Sequence, residues 1–171
     1  MTRRANQLLG YAAANGYFPC PADSASNGQE AVATNHNTGA CPVWQGFLPA
    51  AVLGLTSTDA QGYAIDAWGV PANRIRYAVS NHTIAGTTDP FTRMCGSAAG
   101  VVSGTSCGTA PTLVSTTPVV VWSVGSNATS GGVSADEAQN PNPNGGSEDR
   151  IFVSRVRNEV AGYELKAHAV N

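Results

Sequence analysis

Residues 5–21 read ANQLLGYAAANGYFPCP, and this segment predicts how the rest of the chain is organised. Its first half carries apolar side chains at the spacing i, i+3, i+4, i+7, which is typical of one apolar stripe on an α-helix. The stripe residues are Ala5, Leu8, Leu9 and Ala12. Asn15-Gly16 predicts the end of the helix because glycine adopts the left-handed backbone conformation, and the prolines beyond it prevent the helix from resuming. We therefore expect a helix whose stripe packs against a β-sheet.

The predicted helix covers residues 1–16, so it begins at the first residue of the sequence. Arg3 and Arg4 occupy its first turn, where the helix macrodipole disfavours cations. We interpret Met1 as an artificial start and the helix as the truncated lower half of a longer one.

Composition limits the classes of partner. The 171 residues suffice for one domain with a buried core. Charged residues make up 12% of the chain, against about 25% in an average soluble protein, and the net charge is −2. The sequence lacks the basic patch that nucleic acid or an anionic membrane surface requires. It also contains no apolar run of about eighteen residues, the length that indicates a membrane span.

The cysteines lie in glycine-rich and proline-rich surroundings that are typical of loops. They are Cys20, Cys41, Cys95 and Cys107. None has the Cys-x-x-Cys spacing of a zinc site, so we interpret them as disulfides and expect an oxidising compartment. Four cysteines allow three pairings, of which Cys20 with Cys41 and Cys95 with Cys107 close the shortest loops. The alternative is four buried free thiols in a cytosolic protein.

Beyond the helix, short apolar segments alternate with long polar ones. Strands are predicted at 74–79, 118–124 and 150–155, and the second is apolar at nearly every position, which is typical of a central strand. Strand 74–79 alternates polar and apolar residues, so we expect one of its faces to contact water. Residues 47–55 predict a short helix or an apolar loop, and 162–171 a short strand or a frayed tail. The predicted loops are 22–46, 80–116 and 126–149.

Few side chains are candidates for chemistry. Trp68 and Trp122 are interpreted as core anchors, whereas Trp44 is weighed evenly between packing and contact with a partner. Ser103 and Ser123 lie near glycines, but neither is in the Gly-x-Ser-x-Gly turn that exposes a nucleophile. The histidines lack ligand spacing and are expected at the surface; they are His36, His82 and His168. We therefore predict no catalytic residue and no enzyme activity.

Three motifs follow one another in a characteristic order. The first is the helix with the turn after it, LLGYAAANGYFPCP, at residues 8–21. The second is the turn Asp66-x-Trp68-Gly69-x-Pro71, and the third is the turn Ser123-x-Gly125-x-Asn127, which follows the apolar strand. In this order the chain resembles the type IV pilin-like proteins, most closely the minor pilins and the type II secretion pseudopilins.

The resemblance implies an α+β fold in which an N-terminal amphipathic helix packs on an antiparallel β-sheet, with long disulfide-pinned loops. It implies one pilin-like domain over residues 1–171, with a truncated helix at 1–16 and loops and sheet at 17–171. In this family the apolar half of the helix spans the inner membrane before assembly and forms the filament core afterwards. Upstream of Thr2 we therefore expect a short basic leader, then about twenty apolar residues.

The resemblance implies a structural subunit of a bacterial type IV pilus or type II secretion pseudopilus, which acts by filament assembly in the periplasm or outside the cell. Its partners would be other pilins or pseudopilins, packed through the apolar stripe of the helix. The alternative is a pilus-tip adhesin whose loops bind a surface or a secreted protein. A secreted hydrolase is the third hypothesis, but the sequence shows no nucleophile, base and acid for it.

An acidic loop near the C-terminus is the last feature that the resemblance implies. Such a loop binds calcium in major pseudopilins, and the acidic side chains in the corresponding region are Asp136, Glu137, Glu148 and Asp149. Calcium requires six to eight oxygen ligands, and this stretch lacks the spacing of an EF-hand. We therefore expect no cofactor, with calcium on these carboxylates as the alternative.

Overall fold

The computed structural model describes residues 2–31, 41–68, 73–79, 92–97, 106–125, 136, 139–140, 150–154 and 167–170. Within these ranges the chain forms one multi-turn α-helix and seven β-strands. In chain order they are α1 (Thr2–Asn15), β1 (Gln45–Phe47), β2 (Arg76–Val79), β3 (Thr92–Cys95), β4 (Thr112–Thr117), β5 (Val119–Trp122), β6 (Ile151–Val153) and β7 (Ala167–Val170). Among the described residues no helix is long and apolar enough to cross a membrane.

The end of α1 has the hydrogen bonds that its sequence predicts. Gly16 adopts a φ of +80° and donates its N–H to the carbonyl of Ala12 at 2.8 Å. The Asn15 side chain donates to the carbonyl of Tyr11 at 2.8 Å. These bonds satisfy carbonyl groups that would otherwise lack partners in the last turn, so the chain leaves the helix at Gly16.

The apolar stripe of α1 is narrower than predicted. Leu8 and Ala12 are buried in the core and Ala5 packs against it, half-buried. Leu9, in contrast, is 41% exposed. It lies about 100° around the helix from Leu8, because an α-helix has 3.6 residues per turn. The expectation that Leu9 is buried together with Leu8 is therefore wrong.

The strands form two sheets. The first sheet has the order β1-β2-β5-β7 and is antiparallel throughout, with Arg76 of β2 opposite Phe47 of β1 and opposite Trp122 of β5. The second sheet has the order β4-β3-β6 and is mixed: β3 pairs antiparallel with β4 and parallel with β6. The parallel pair places Met94 opposite Phe152.

The predicted pilin-like fold, a helix packed on an antiparallel sheet, is wrong. The chain is α+β in the broad sense, but its strands divide between two sheets, and one of the sheets contains a parallel pair. The physical reason is that β3 and all but the last residue of β4 lie within 80–116, which was predicted to be a loop. Once these strands form, β6 pairs with β3 and does not extend the first sheet.

The first sheet is covered on both faces, which explains why its central strands are buried. One face packs on α1 in a cluster that contains Leu8, Ala12, Tyr77, Val79, Val119 and Val121. The other face packs on the second sheet in a cluster that contains Ala78, Met94, Val120, Trp122 and Phe152. The prediction that strand 74–79 has one face in water is therefore wrong: all four residues of β2 are buried.

Other predicted boundaries change as well. β1 lies at the end of the predicted loop 22–46 and runs into 47–55, where the chain turns after β1 instead of forming a helix of several turns. The C-terminal segment contains β7, so the strand is the correct one of the two alternatives for 162–171. Strand 150–155 is present as the shorter β6.

Both disulfides are present, with the local pairing. Cys20 is bonded to Cys41 and Cys95 to Cys107, with Cα–Cα distances of 5.4 Å and 5.6 Å. These distances lie in the usual range for disulfides. The first bond ties the segment after α1 to the approach to β1, and the second ties the end of β3 to the approach to β4. Each stabilises the fold by about 3 kcal/mol in the chain-entropy model.

Candidate functional site

The second and third sequence motifs meet in the structure, although they are far apart in the chain. The Ser123 hydroxyl donates a hydrogen bond to Oδ2 of Asp66 at 2.5 Å. A bond from a hydroxyl to a carboxylate is short and strong because the acceptor is charged. We call Asp66, Ser123 and the residues bonded to them the turn junction. The sequence places Asp66 and Ser123 in two separate turn motifs, so this contact between them was not predicted.

Each member of the junction also orders its own turn. Oδ1 of Asp66 accepts the backbone N–H of Trp68 at 2.9 Å, which is the geometry of an Asx turn. The Ser123 oxygen accepts the backbone N–H of Gly125 at 3.1 Å. Gly125 has a φ of +72°, a conformation that residues with a Cβ rarely adopt. One side-chain contact therefore holds two turns in a defined relative position.

α1 is tied to the same junction through its first turn. Arg4 Nη2 donates to the carbonyl of Ile65 at 2.6 Å, directly before Asp66. Burial lowers the pKa of the Arg4 guanidinium, and the negative charge of Asp66 opposes that shift. This contact explains why an arginine is present where the helix macrodipole disfavours it. The junction thus joins the start of α1 to both turns.

The described contacts of the junction position its two turns. A serine nucleophile needs a base, commonly histidine, that accepts its proton. In the described structure the Ser123 proton is held by the carboxylate of Asp66. Two of the three histidines, His36 and His82, lie outside the described residues, and for His168, in β7, only the backbone is described. Ser103 also lies outside the described residues.

Trp68 is not the core anchor that the sequence predicted. Its side chain is 49% exposed, since the turn that Asp66 orders carries the indole to the surface. Trp122, in contrast, is completely buried, as expected of a core anchor. A large exposed aromatic side chain on an ordered turn is a common feature of contact surfaces, where aromatic residues are enriched.

The outer side of α1 forms a second surface. We define the exposed α1 face as Asn6, Leu9, Gly10, Ala13 and Ala14, all of which are exposed. None of these residues is charged, whereas the solvent face of a helix normally carries charged and polar side chains. The face therefore has the small and apolar side chains of a helix-packing surface, with Leu9 as its largest member.

Trp44, the predicted partner-contact residue, packs within the protein. It is half-buried, its ring centroid lies 6.5 Å from that of Phe152, and the Arg150 guanidinium lies 4.8 Å from its ring centroid. These contacts join the approach to β1 to the second sheet. Contact with a partner stays a prediction for this residue.

Of the four acidic candidates, Asp136 lies among the described residues. Asp136 lies 3.4 Å from the hydroxyl of Ser97, which donates to it, while Glu137, Glu148 and Asp149 lie outside the described residues. In the part of the chain that is described, no group of three or more His, Cys, Asp or Glu side chains is positioned to hold a metal ion.

Compared with protein-family models, with curated proteins and with solved structures, the chain gives no match. The resemblance drawn from the three motifs therefore stays a prediction. The structure adds that Asp66 and Ser123, one from each turn motif, are in direct contact.

Proposed function

We propose that the chain is a structural subunit of a bacterial surface or secretion filament, of the minor pilin or pseudopilin kind, which acts by assembly with other subunits and catalyses no reaction. Because the described fold is not the predicted pilin-like one, the proposal does not depend on the sheets. It rests on α1, whose two sides have different roles.

The observation that carries the proposal is the division of α1 into a buried side and an exposed apolar side. Leu8 and Ala12 attach the helix to the core, while Leu9 points away from it and remains 41% exposed. A helix whose only role was to cover the sheet would gain solubility from charges on its outer side. From Asn6 to Ala14 the outer side carries no charge and has Leu9 near its centre, which instead fits packing against a helix of a neighbouring subunit.

Gly10 on the exposed α1 face supports the same interpretation. A Cβ placed on Gly10 meets no atom within 4 Å, so nothing in the described structure requires glycine there. Glycine within a helix is about 0.5–1 kcal/mol less favourable than alanine. A neighbouring helix that approaches closely would require the missing side chain, because small residues let helix backbones come together.

The turn junction supports the proposal by fixing the helix. Arg4 bonds to the chain beside Asp66, which in turn bonds to Ser123. These bonds restrict rotation of α1 about its own axis. The exposed α1 face is consequently presented in one orientation, as a repeating contact between subunits requires.

Gene deletion and complementation test the proposal. We expect deletion to abolish filaments or secretion, and the wild-type gene to restore them. Leu9→Glu should give folded protein that does not assemble, because it places a charge on the exposed α1 face. Leu113→Glu is the matched control, since Leu113 is 51% exposed on β4 and receives the same substitution. Normal assembly of the Leu9→Glu variant would contradict the proposal.

A pilus-tip adhesin is the second candidate, and the exposure of Trp68 favours it. The same turn junction that fixes α1 holds this indole at the surface. If Trp68→Ala removed adhesion and left filaments intact, the protein would be an adhesin at the filament tip. If the same variant left both adhesion and filaments unchanged, this second candidate would be rejected.

A further inference from the structure

Arg76 is a buried cation between the two sheets. It lies on β2, opposite Phe47 of β1 and opposite Trp122 of β5, and it is only 8% exposed. Successive side chains on a strand alternate between faces, so Arg76 shares a face with Ala78, which packs toward the second sheet. Because one face of this strand was predicted to contact water, a buried arginine was not expected here.

The charge of Arg76 is not neutralised within the described residues. Its Nε and Nη1 atoms are buried and make no hydrogen bond. The Asp59 carboxylate does not pair with Arg76. It pairs with Arg74, at 2.6 Å. Burial and, to a smaller extent, repulsion from Arg74 together lower the pKa of Arg76 to about 10. Among the described residues, the guanidinium contacts the Phe47 ring, whose centroid lies 4.4 Å from the guanidinium carbon.

Trp122 adds a third donor on the same face. Its indole Nε1 is buried and also makes no hydrogen bond. Arg76 and Trp122 are directly opposite in the antiparallel pair, where Cβ atoms are roughly 5 Å apart, so the two side chains start from adjacent positions on one face. Guanidinium and indole N–H groups donate and never accept, and the ligand that matches such a set is an acceptor.

Gln45 does not remove the need for an anion. Its Oε1 is buried without a hydrogen bond, and it lies opposite Ala78, one diagonal position from Arg76. If this amide rotated so that Oε1 accepted from the Arg76 guanidinium, one hydrogen bond would form. It would not neutralise the charge, because an amide is neutral, and a buried charge is costly unless it is paired.

We propose that Arg76 and the Trp122 indole N–H bind a small monovalent anion between the two sheets, either a halide or a carboxylate. Both ions offer only acceptor groups and a single negative charge, which matches the buried donors and the unpaired cation. The surrounding Phe47 and Trp122 side chains are large and buried, so an ion of few atoms fits better than an organic molecule. The binding needs no bond to form or break.

The test is a titration followed by the indole N–H signal of Trp122 in NMR spectra, with Tm measured in parallel. Sodium chloride and sodium formate are the two arms, and sodium isethionate, whose anion is larger, keeps the ionic strength constant. Trp44→Phe and Trp68→Phe assign the signal by elimination. We expect a saturable shift of this signal, and a rise in Tm of about 5–10 °C at a hundredfold excess over Kd.

Variants test whether the shift of the Trp122 signal requires the Arg76 guanidinium. Arg76→Met should abolish the shift, whereas Arg93→Met, which removes a half-buried arginine on β3, should leave it unchanged. A response to chloride alone would assign a halide site, and a response to formate alone a carboxylate site. A wild-type signal that does not shift saturably with either anion, or that shifts equally in Arg76→Met, would overturn the proposal. The wild-type titration decides the matter even if Arg76→Met does not fold.

Discussion

Truncation of Leu8 tests whether α1 is attached to the core as described. Leu8 is completely buried in the cluster between α1 and the first sheet. Replacing a buried leucine with alanine removes its burial and leaves a cavity, at a cost of about 2–5 kcal/mol. In a domain of this size each kcal/mol corresponds to about 2–4 °C, so we expect Tm to fall by at least about 4 °C.

Leu9 provides the matched control because it is the next residue and undergoes the same substitution. It is 41% exposed, so Leu9→Ala should cost no more than about 1 kcal/mol. Urea denaturation of both variants with the disulfides intact gives the two changes in unfolding free energy. Equal losses for the two variants, or a loss below about 1 kcal/mol for Leu8→Ala, would refute the assignment of the buried face.

Three further predictions concern the contacts that hold the fold. For Asp59, burial acts to raise the pKa, but hydrogen bonds from Tyr63 N–H and from Arg74 outweigh burial and lower it. Wild-type stability should therefore fall as the pH drops below about 4, and acid titration monitored by circular dichroism should show a flatter slope for Asp59→Asn. Ser123→Ala should cost about 1–3 kcal/mol in urea denaturation, because it removes a bond to a charged carboxylate; an unchanged midpoint would argue against the turn junction. Gly10→Ala should raise the unfolding free energy of the monomer by about 0.5–1 kcal/mol, and a loss of stability would mean that its Cβ meets an obstacle.

Short sequence patterns correctly predicted α1, β5 and the two disulfides. α1 follows from the helical spacing of its apolar residues and ends at a glycine, and β5 follows from a continuous apolar run. The two disulfides follow the shortest-loop pairing. In each case the signal lies within a short stretch of sequence, so no knowledge of distant contacts is needed.

The remaining elements depend on contacts between distant segments. β4 reads TLVSTT and is largely exposed, so it has no alternation of buried and exposed residues from which a strand could be predicted. The pairing of β3 with β6 joins segments more than fifty residues apart, and the second sheet that results covers the face of the first sheet on which Arg76 lies. Spacing alone could not indicate that this arginine lies between two sheets.

The candidate site was predicted in part. The turn motifs were identified from the sequence. The bond between Asp66 and Ser123 was not, because the two residues lie far apart in the chain. The exposure of Trp68 was not predicted either. A tryptophan near a strand is usually buried, and here the Asp66 carboxylate orders a turn, by accepting the Trp68 N–H, that leaves the indole exposed.

In the proposed filament, α1 contacts its own core with one side and a neighbouring subunit with the other. Photo-crosslinking in cells that make the filament tests it most directly, with a benzophenone amino acid in place of Ala13 on the exposed α1 face and, as a control, in place of Leu113 on β4. We expect a covalent dimer from position 13, in which mass spectrometry finds the crosslink on α1 of the second copy or of another subunit, and none from position 113. A monomer at position 13, or crosslinks that never reach a neighbouring helix, would contradict it.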